Sequence, residues 1–102
     1  MKIDHYTQNG NLYVKLNGEL DEHHSAYARM TLDLLTDSKS IQRLYIDMSD
    51  LTFMDSTGIG VLIGRYKKLK PRGIPIFIQS PPPAVDKVLG LSGIYNIMIK
   101  AG

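Results

Sequence analysis

The sequence has no cysteine, which excludes disulfides, thiolate metal sites and a cysteine nucleophile. It also lacks a long apolar run. The longest stretch of apolar residues and glycine, Gly58 to Gly64, is seven residues, far short of the roughly 20 that a membrane-spanning helix needs. The opening MKIDHYTQNG contains no apolar segment of the kind a secretory signal carries. The densest cluster of chain breakers, Ser80-Pro81-Pro82-Pro83, is too short to separate domains, and no repeat or linker is visible. What is there is ordinary for a globular protein: 102 residues, 43% hydrophobic and 22% charged. That length suits a single domain over residues 1–102, with one modest core burying about 60–65% of the unfolded surface. A small cytoplasmic domain, with no membrane partner, is the expectation.

The net charge of +2 hides an uneven distribution. Five of the twelve bases, Arg65, Lys67, Lys68, Lys70 and Arg72, fall within eight residues without an acid among them. Acids gather elsewhere, at Glu19-Leu20-Asp21-Glu22 and between Asp47 and Asp55. A basic helix end is compatible with nucleic acid, but no aromatic or arginine-rich readout motif accompanies it. Four of the five, Arg65, Lys67, Lys68 and Lys70, are better explained as cations at the C-terminal dipole of a helix that ends before Pro71. No direct nucleic-acid partner is expected.

Periodicity sets the order of elements. Ile3, His5 and Thr7 alternate up to Asn9-Gly10, a strong type I′ hairpin signal. The return strand places Leu12, Val14 and Leu16 on one face and Tyr13, Lys15 and Asn17 on the other. Asp21 reads as the N-cap of a helix over 22–37, whose Ala26, Tyr27, Met30 and Leu34, widened by Leu35, predict the buried stripe. Leu44 to Met48 suits a buried strand. Asp55 or Ser56 caps a second helix with an apolar face of Ile59, Leu62, Ile63, Tyr66 and Leu69. Ile74 to Ile78 reads as a strand with Pro75 at its start. A third helix spans Ala84 to Leu91, with Pro83 in its first turn and a stop near Gly93. Ile97 to Ile99 is a last short strand. The order β-β-α-β-α-β-α-β predicts an α/β fold, a mixed and mostly parallel sheet that opens with an antiparallel hairpin. Function in such sheets collects where strands lead into helices. Two such loops, Gly18–Glu22 and Ser49–Thr57, hold both acidic clusters.

Asp55-Ser56-Thr57-Gly58 stands where one of those loops becomes a helix. A serine there has an exposed hydroxyl beside unpaired backbone amides, and the helix end tolerates an added phosphate. On residue types alone, these are also ordinary helix caps. Gly58, Gly60 and Gly64 each cost close to 1 kcal/mol relative to alanine inside a helix. Gly60 and Gly64 share a face, which permits close backbone approach to a neighbour, either the protein's own sheet, the simpler case, or a docking partner. A phosphate-binding loop does not fit, because no Gly-Lys-Ser/Thr follows. His23 and His24 invite a metal reading with Asp21 and Asp55, but neighbouring helical side chains point about 100° apart and do not readily share one ion. Ser56 as a hydrolytic nucleophile would need a base, and His23 is the candidate, but the motif is not a Gly-x-Ser-x-Gly elbow. No metal, cofactor or enzymatic activity is expected.

The chain resembles the anti-sigma factor antagonists, stand-alone members of the STAS family of domains shared with sulfate transporters, and looks most like the sporulation-type antagonists of bacilli and clostridia. The residues that carry the resemblance are Asn17-Gly18-Glu19-Leu20-Asp21 with His23, and Leu51 through Gly60. Leu62 through Lys67, Ser80-Pro81 and Leu91-Ser92-Gly93 extend it over almost the whole chain. The resemblance implies a STAS-like domain and phosphorylation on Ser56. It implies a partner surface of Glu19, Asp21, His23, Asp55, Ser56, Thr57, Gly58 and Ile59, on a chain that is monomeric alone. The implied partner is an anti-sigma factor that is also a serine kinase of the histidine-kinase-like ATPase superfamily. Docking displaces the sigma factor, phosphorylation ends docking, and a serine phosphatase resets the cycle. A general-stress antagonist with a different anti-sigma kinase, or a STAS module serving a lipid or anion transporter, are the alternatives. Two departures stand out: Glu22 occupies a position that is often histidine in the bacillus proteins, and family members usually continue into a C-terminal helix beyond the equivalent of Gly102.

Overall fold

A computed structural model describes residues 1–38 and 40–102. The elements are β1 (Lys2–Gln8), β2 (Asn11–Leu20), α1 (Ser25–Thr36), β3 (Arg43–Met54), α2 (Ser56–Leu69), β4 (Ile76–Gln79), α3 (Pro83–Ser92) and β5 (Ile99–Lys100). Single turns of 3-10 helix at Lys70–Arg72 and Ile94–Asn96 follow α2 and α3. The strands form one sheet in the order β1-β2-β3-β4-β5, with β1 antiparallel to β2 and the other neighbours parallel. This is the succession that the periodicity predicts. Asn9 and Gly10 have φ of 53° and 80°, as a type I′ turn requires.

Alternation along the strands decides which face is covered. Leu12, Val14 and Leu16, with Leu44, Ile46 and Met48 and with Ile76 and Ile78, are buried beneath the helices. The alternate positions form a second face that the helices leave uncovered. There Tyr6, Tyr13, Tyr45 and Phe77 stand in register on four successive strands. Their rings stack nearly parallel, with centroids 4.7, 4.9 and 4.6 Å apart. Cross-strand aromatic pairs of this kind add to sheet stability.

Several sequence expectations are corrected. Most of the expected buried stripe of α1 faces solvent, with Tyr27, Met30 and Leu34 exposed and Ala26 beside them, while Leu35 packs against the core as expected. The helix also packs through Ala28, Leu32 and Thr36. Small Ala28 admits close approach to the sheet, and the Thr36 hydroxyl is satisfied by donating to the Leu32 carbonyl at 2.7 Å. The helix starts at Ser25 with His24 as N-cap, so Asp21 organises the preceding turn rather than capping the helix.

Strands β2 and β3 run on to Leu20 and Met54, through most of what the sequence reads as loops. Register shifts between Lys15 and Asn17 and between Gly18 and Glu19 are bulges that keep the two long strands paired past their first half. Pro75 lies just outside β4, and β5 begins two residues later than expected.

On α2, Ile59, Leu62 and Leu69 are buried, whereas Ile63 and Tyr66 are only half-buried. Arg65, read from the sequence as a helix-end cation, is 4% exposed. Its Nε lies 2.8 Å from Asp33 Oδ1, joining α2 to α1. Burial pushes the Arg65 guanidinium below its ordinary pKa, with Asp33 pulling the other way. Gly60 and Gly64 have open space where a side chain would be, so neither serves close packing within the fold.

Candidate functional site

The site forms where the carboxyl ends of β2 and β3 lie side by side, Leu20 opposite Met54. Asp55 is its organising residue. One carboxylate oxygen, Oδ1, accepts the Gly58 amide at 3.0 Å and caps α2. The other, Oδ2, accepts the Glu22 amide at 3.2 Å. The Asp55 amide in turn donates to the Leu20 carbonyl at 3.4 Å. One side chain therefore starts a helix and ties it to the acidic segment that follows β2.

Gly58 explains why that helix starts so close to β2. A Cβ on Gly58 would stand 2.4 Å from the Leu20 carbonyl oxygen and 3.0 Å from Leu20 Cγ and Met54 Cγ. A bare backbone is required there by space, not by dihedral angle. Ser56 opens α2 and is exposed, with Thr57 partly so. The cap takes the Gly58 amide, and helical geometry offers no intrahelical acceptor to those of Ser56 and Thr57. The serine hydroxyl thus sits beside two free amides and the positive end of the dipole.

The acidic half is held as firmly. Asp21 Oδ1 accepts from the His24 amide at 3.0 Å and lies 2.8 Å from His24 Nδ1. Partial burial works to raise the Asp21 pKa, but the hydrogen bonds from His24 outweigh it and hold the carboxyl below its ordinary value. Ser25 donates its hydroxyl to the Glu22 carbonyl at 3.1 Å. Between the two halves lies an open cleft of about 540 Å³, lined by Asp21, Glu22, His23, Phe53 and Asp55.

Of the residues singled out from the sequence, Asp21, His23 and Asp55 meet in this cleft. Glu19 is exposed at the end of β2, and Ser56 and Thr57 sit at the adjacent helix start. Gly58 and Ile59 turn inward and are buried, so they seat the helix and present little surface. Glu22 and Phe53 line the cleft without having been singled out as site residues. Phe53 is 49% exposed, on β3 beyond the shifted pairing with β2. His23 and His24 meet edge to face, with ring centroids 4.8 Å apart. Among the described residues, no group of three His, Asp or Glu side chains is placed to hold a metal, and no helix is long and apolar enough to cross a membrane.

Residues 2–101 match the family model described as the STAS domain. An anti-sigma F factor antagonist of Paenibacillus polymyxa is 35% identical over 98 residues, covering 96% of this chain and 84% of the relative. The solved structure of the anti-sigma factor antagonist SpoIIAA in its unphosphorylated form aligns with a TM-score of 0.83 at 25% identity, over 99% of this chain and 89% of the other. The Bacillus cell fate determinant SpoIIAA in its phosphorylated form aligns with a TM-score of 0.74 at 24% identity, over 99% and 92%. With its strand order, its helix-capping Asp55 beside an exposed serine, and a family match over nearly its whole length, this chain belongs to the STAS domain family.

Proposed function

We propose that this protein is an anti-sigma factor antagonist switched by phosphorylation of Ser56. It acts by binding and has no catalytic residue of its own. The observation that carries the reading is the Asp55 clamp, which holds an exposed serine at a helix start against an acidic cleft. The unphosphorylated face, Glu19, Asp21, His23, Asp55, Ser56 and Thr57, docks an anti-sigma factor that is also a serine kinase with a histidine-kinase-like ATPase fold, and the sigma factor is released. Support comes from the antagonist names of relatives and from a structural neighbour known in both unphosphorylated and phosphorylated forms.

Docking and modification share one surface, because the kinase must reach Ser56 Oγ to transfer the γ-phosphoryl of ATP. The phosphate adds about −1.5 to −2 charges to a surface already holding Glu19, Asp21, Glu22 and Asp55. Its oxygens can be met locally by the free amides of the α2 start, so the fold persists. Burying the same charge against a partner without a matching cation costs several kcal/mol. A loss of about 3 kcal/mol is more than a hundredfold in affinity. A serine phosphatase restores the binding form.

The test is incubation with the serine-kinase anti-sigma factor of the same genome and ATP, followed by mass mapping and titration of affinity before and after. Phosphate on Ser56 with at least a hundredfold weaker binding is expected. Ser56→Ala binds and stays unmodified, whereas Ser56→Asp binds weakly. Phosphate on Thr57 alone, or equal affinity in both states, overturns the mechanism.

A further inference from the structure

Outside the cleft, the most apolar exposed surface on a helix is the outward side of α1. Tyr27, Met30 and Leu34 are 47%, 61% and 69% exposed. Their i, i+3, i+7 spacing aligns them in one strip. At about 100° per residue, that strip lies opposite the side that buries Ala28 and Leu32. One turn before Tyr27 comes His23, in the turn that leads into the helix, and His23 and Phe53 form a wall of the acidic cleft. The strip therefore runs for about 10 Å along α1, at 1.5 Å per residue from Tyr27 to Leu34, and the turn that carries His23 links it to the cleft.

We infer that this strip is the apolar half of the surface that docks the anti-sigma factor, with the acidic cleft as its polar half. The inference rests on the function proposed above. Continuity through His23 and Phe53 is the first reason. Area is the second: three side chains fall far short of the roughly 800 Å² per partner of a stable interface, so the strip works as the extension of a larger contact and is too small for a self-sufficient dimer seam. Charge is the third. Glu19, Asp21, Glu22 and Asp55 surround the cleft end, and Asp37 is exposed just past the other end of the helix. Two copies paired through the strip in parallel would bring the acidic cleft ends together, whereas the far end of α1 also carries Arg72, which donates to the Thr36 and Ser38 carbonyls. A partner that presents an apolar groove flanked by lysine or arginine has the complementary chemistry. An apolar anchor beside a charged rim is also the usual anatomy of a specific interface.

The experiment is a binding titration of the purified serine-kinase anti-sigma factor against the full chain and its Met30→Gln/Leu34→Gln variant, with Arg29→Gln as control. Both substituted positions are solvent-exposed, and an unchanged melting curve checks that the variant is folded. At least tenfold weaker binding of the double variant, with the control within twofold of wild type, is expected. A second readout needs no substitution: mild peroxide oxidation followed by mass mapping should convert Met30 to its sulfoxide quickly in the free chain and slowly in the complex. If the wild-type chain does not bind the kinase, the proposed function itself falls. If wild type binds, and the double variant binds within twofold of it or Met30 oxidises equally fast in the complex, the strip is overturned while the function stands. Light scattering that shows a wild-type dimer, dissociated by the double substitution, would overturn the choice of partner.

Discussion

Gly58 carries more of the site than its size suggests, because the room it leaves is where β2 ends. Gly58→Ala forces a methyl group to within 2.4 Å of the Leu20 carbonyl oxygen. The helix start must then move, and overpacking of this kind costs about 1–3 kcal/mol. Gly60→Ala and Gly64→Ala meet open space and should each add up to about 1 kcal/mol. Urea denaturation of the three variants checks the opposite signs; a stabilised Gly58→Ala would show that α2 does not press on β2. Asp55→Ala removes the cap and the tie to Glu22, and a loss of about 1–2 kcal/mol is expected in the same measurement. The sequence marks all three glycines as costly in a helix, yet spacing only says which residues share a face. What lies across from that face is a tertiary fact, so the glycine that matters could not be distinguished from the two that do not.

At the scale of the element, α1 is the instructive case. It carries two apolar sides, one of Ala28 and Leu32 with half-buried Leu35 and one of Tyr27, Met30 and Leu34. Reading amphipathicity assumes that hydrophobic bulk marks the core side, and here the bulkier side is the outer one. The rotation is directly testable: Leu32→Ala, at a fully buried position, should cost about 2–5 kcal/mol, whereas Leu34→Ala, at a position mostly in solvent, should stay within about 0.5 kcal/mol. Equal costs in denaturation would restore the sequence-based face. The hairpin, by contrast, was legible to the residue, because Asn9-Gly10 specifies a turn through local dihedral demands alone. The lengths of β2 and β3 were not legible, since their bulges answer to pairing between segments distant in sequence. Asp55 and Ser56 were readable at the helix start because capping is local. Phe53 and Glu22 depend on how two strand ends come together, and that is not local.

For the whole molecule, the response to pH follows from two carboxylates held below their ordinary range. Asp21 is kept there by His24 against partial burial. Asp86 is kept there by the Tyr95 hydroxyl and by Lys100, at the point where α3, the following 3-10 turn and β5 meet. A carboxyl with a lower pKa in the folded than in the unfolded state binds fewer protons when folded, so stability rises with pH through that range. The contribution is complete above the unfolded value of about 3.9 and is lost as pH falls through the lower folded values. The expected profile is flat from neutrality to about pH 5 and falls below about pH 4. Asp21→Asn and Asp86→Asn should each flatten the acid limb, as measured by denaturation midpoints across pH; unchanged limbs would remove these two groups from the account. The stacked row of Tyr6, Tyr13, Tyr45 and Phe77 has a different consequence. The protein has six tyrosines and no tryptophan, so its intrinsic emission and near-ultraviolet dichroism come from tyrosine, and three of the six are electronically coupled at under 5 Å. Because that row crosses the face of the sheet turned away from the helices, the dichroism of the coupled rings is a label-free optical gauge of strand register. It should stay constant while chemistry proceeds at Ser56, and change only when the sheet itself gives way.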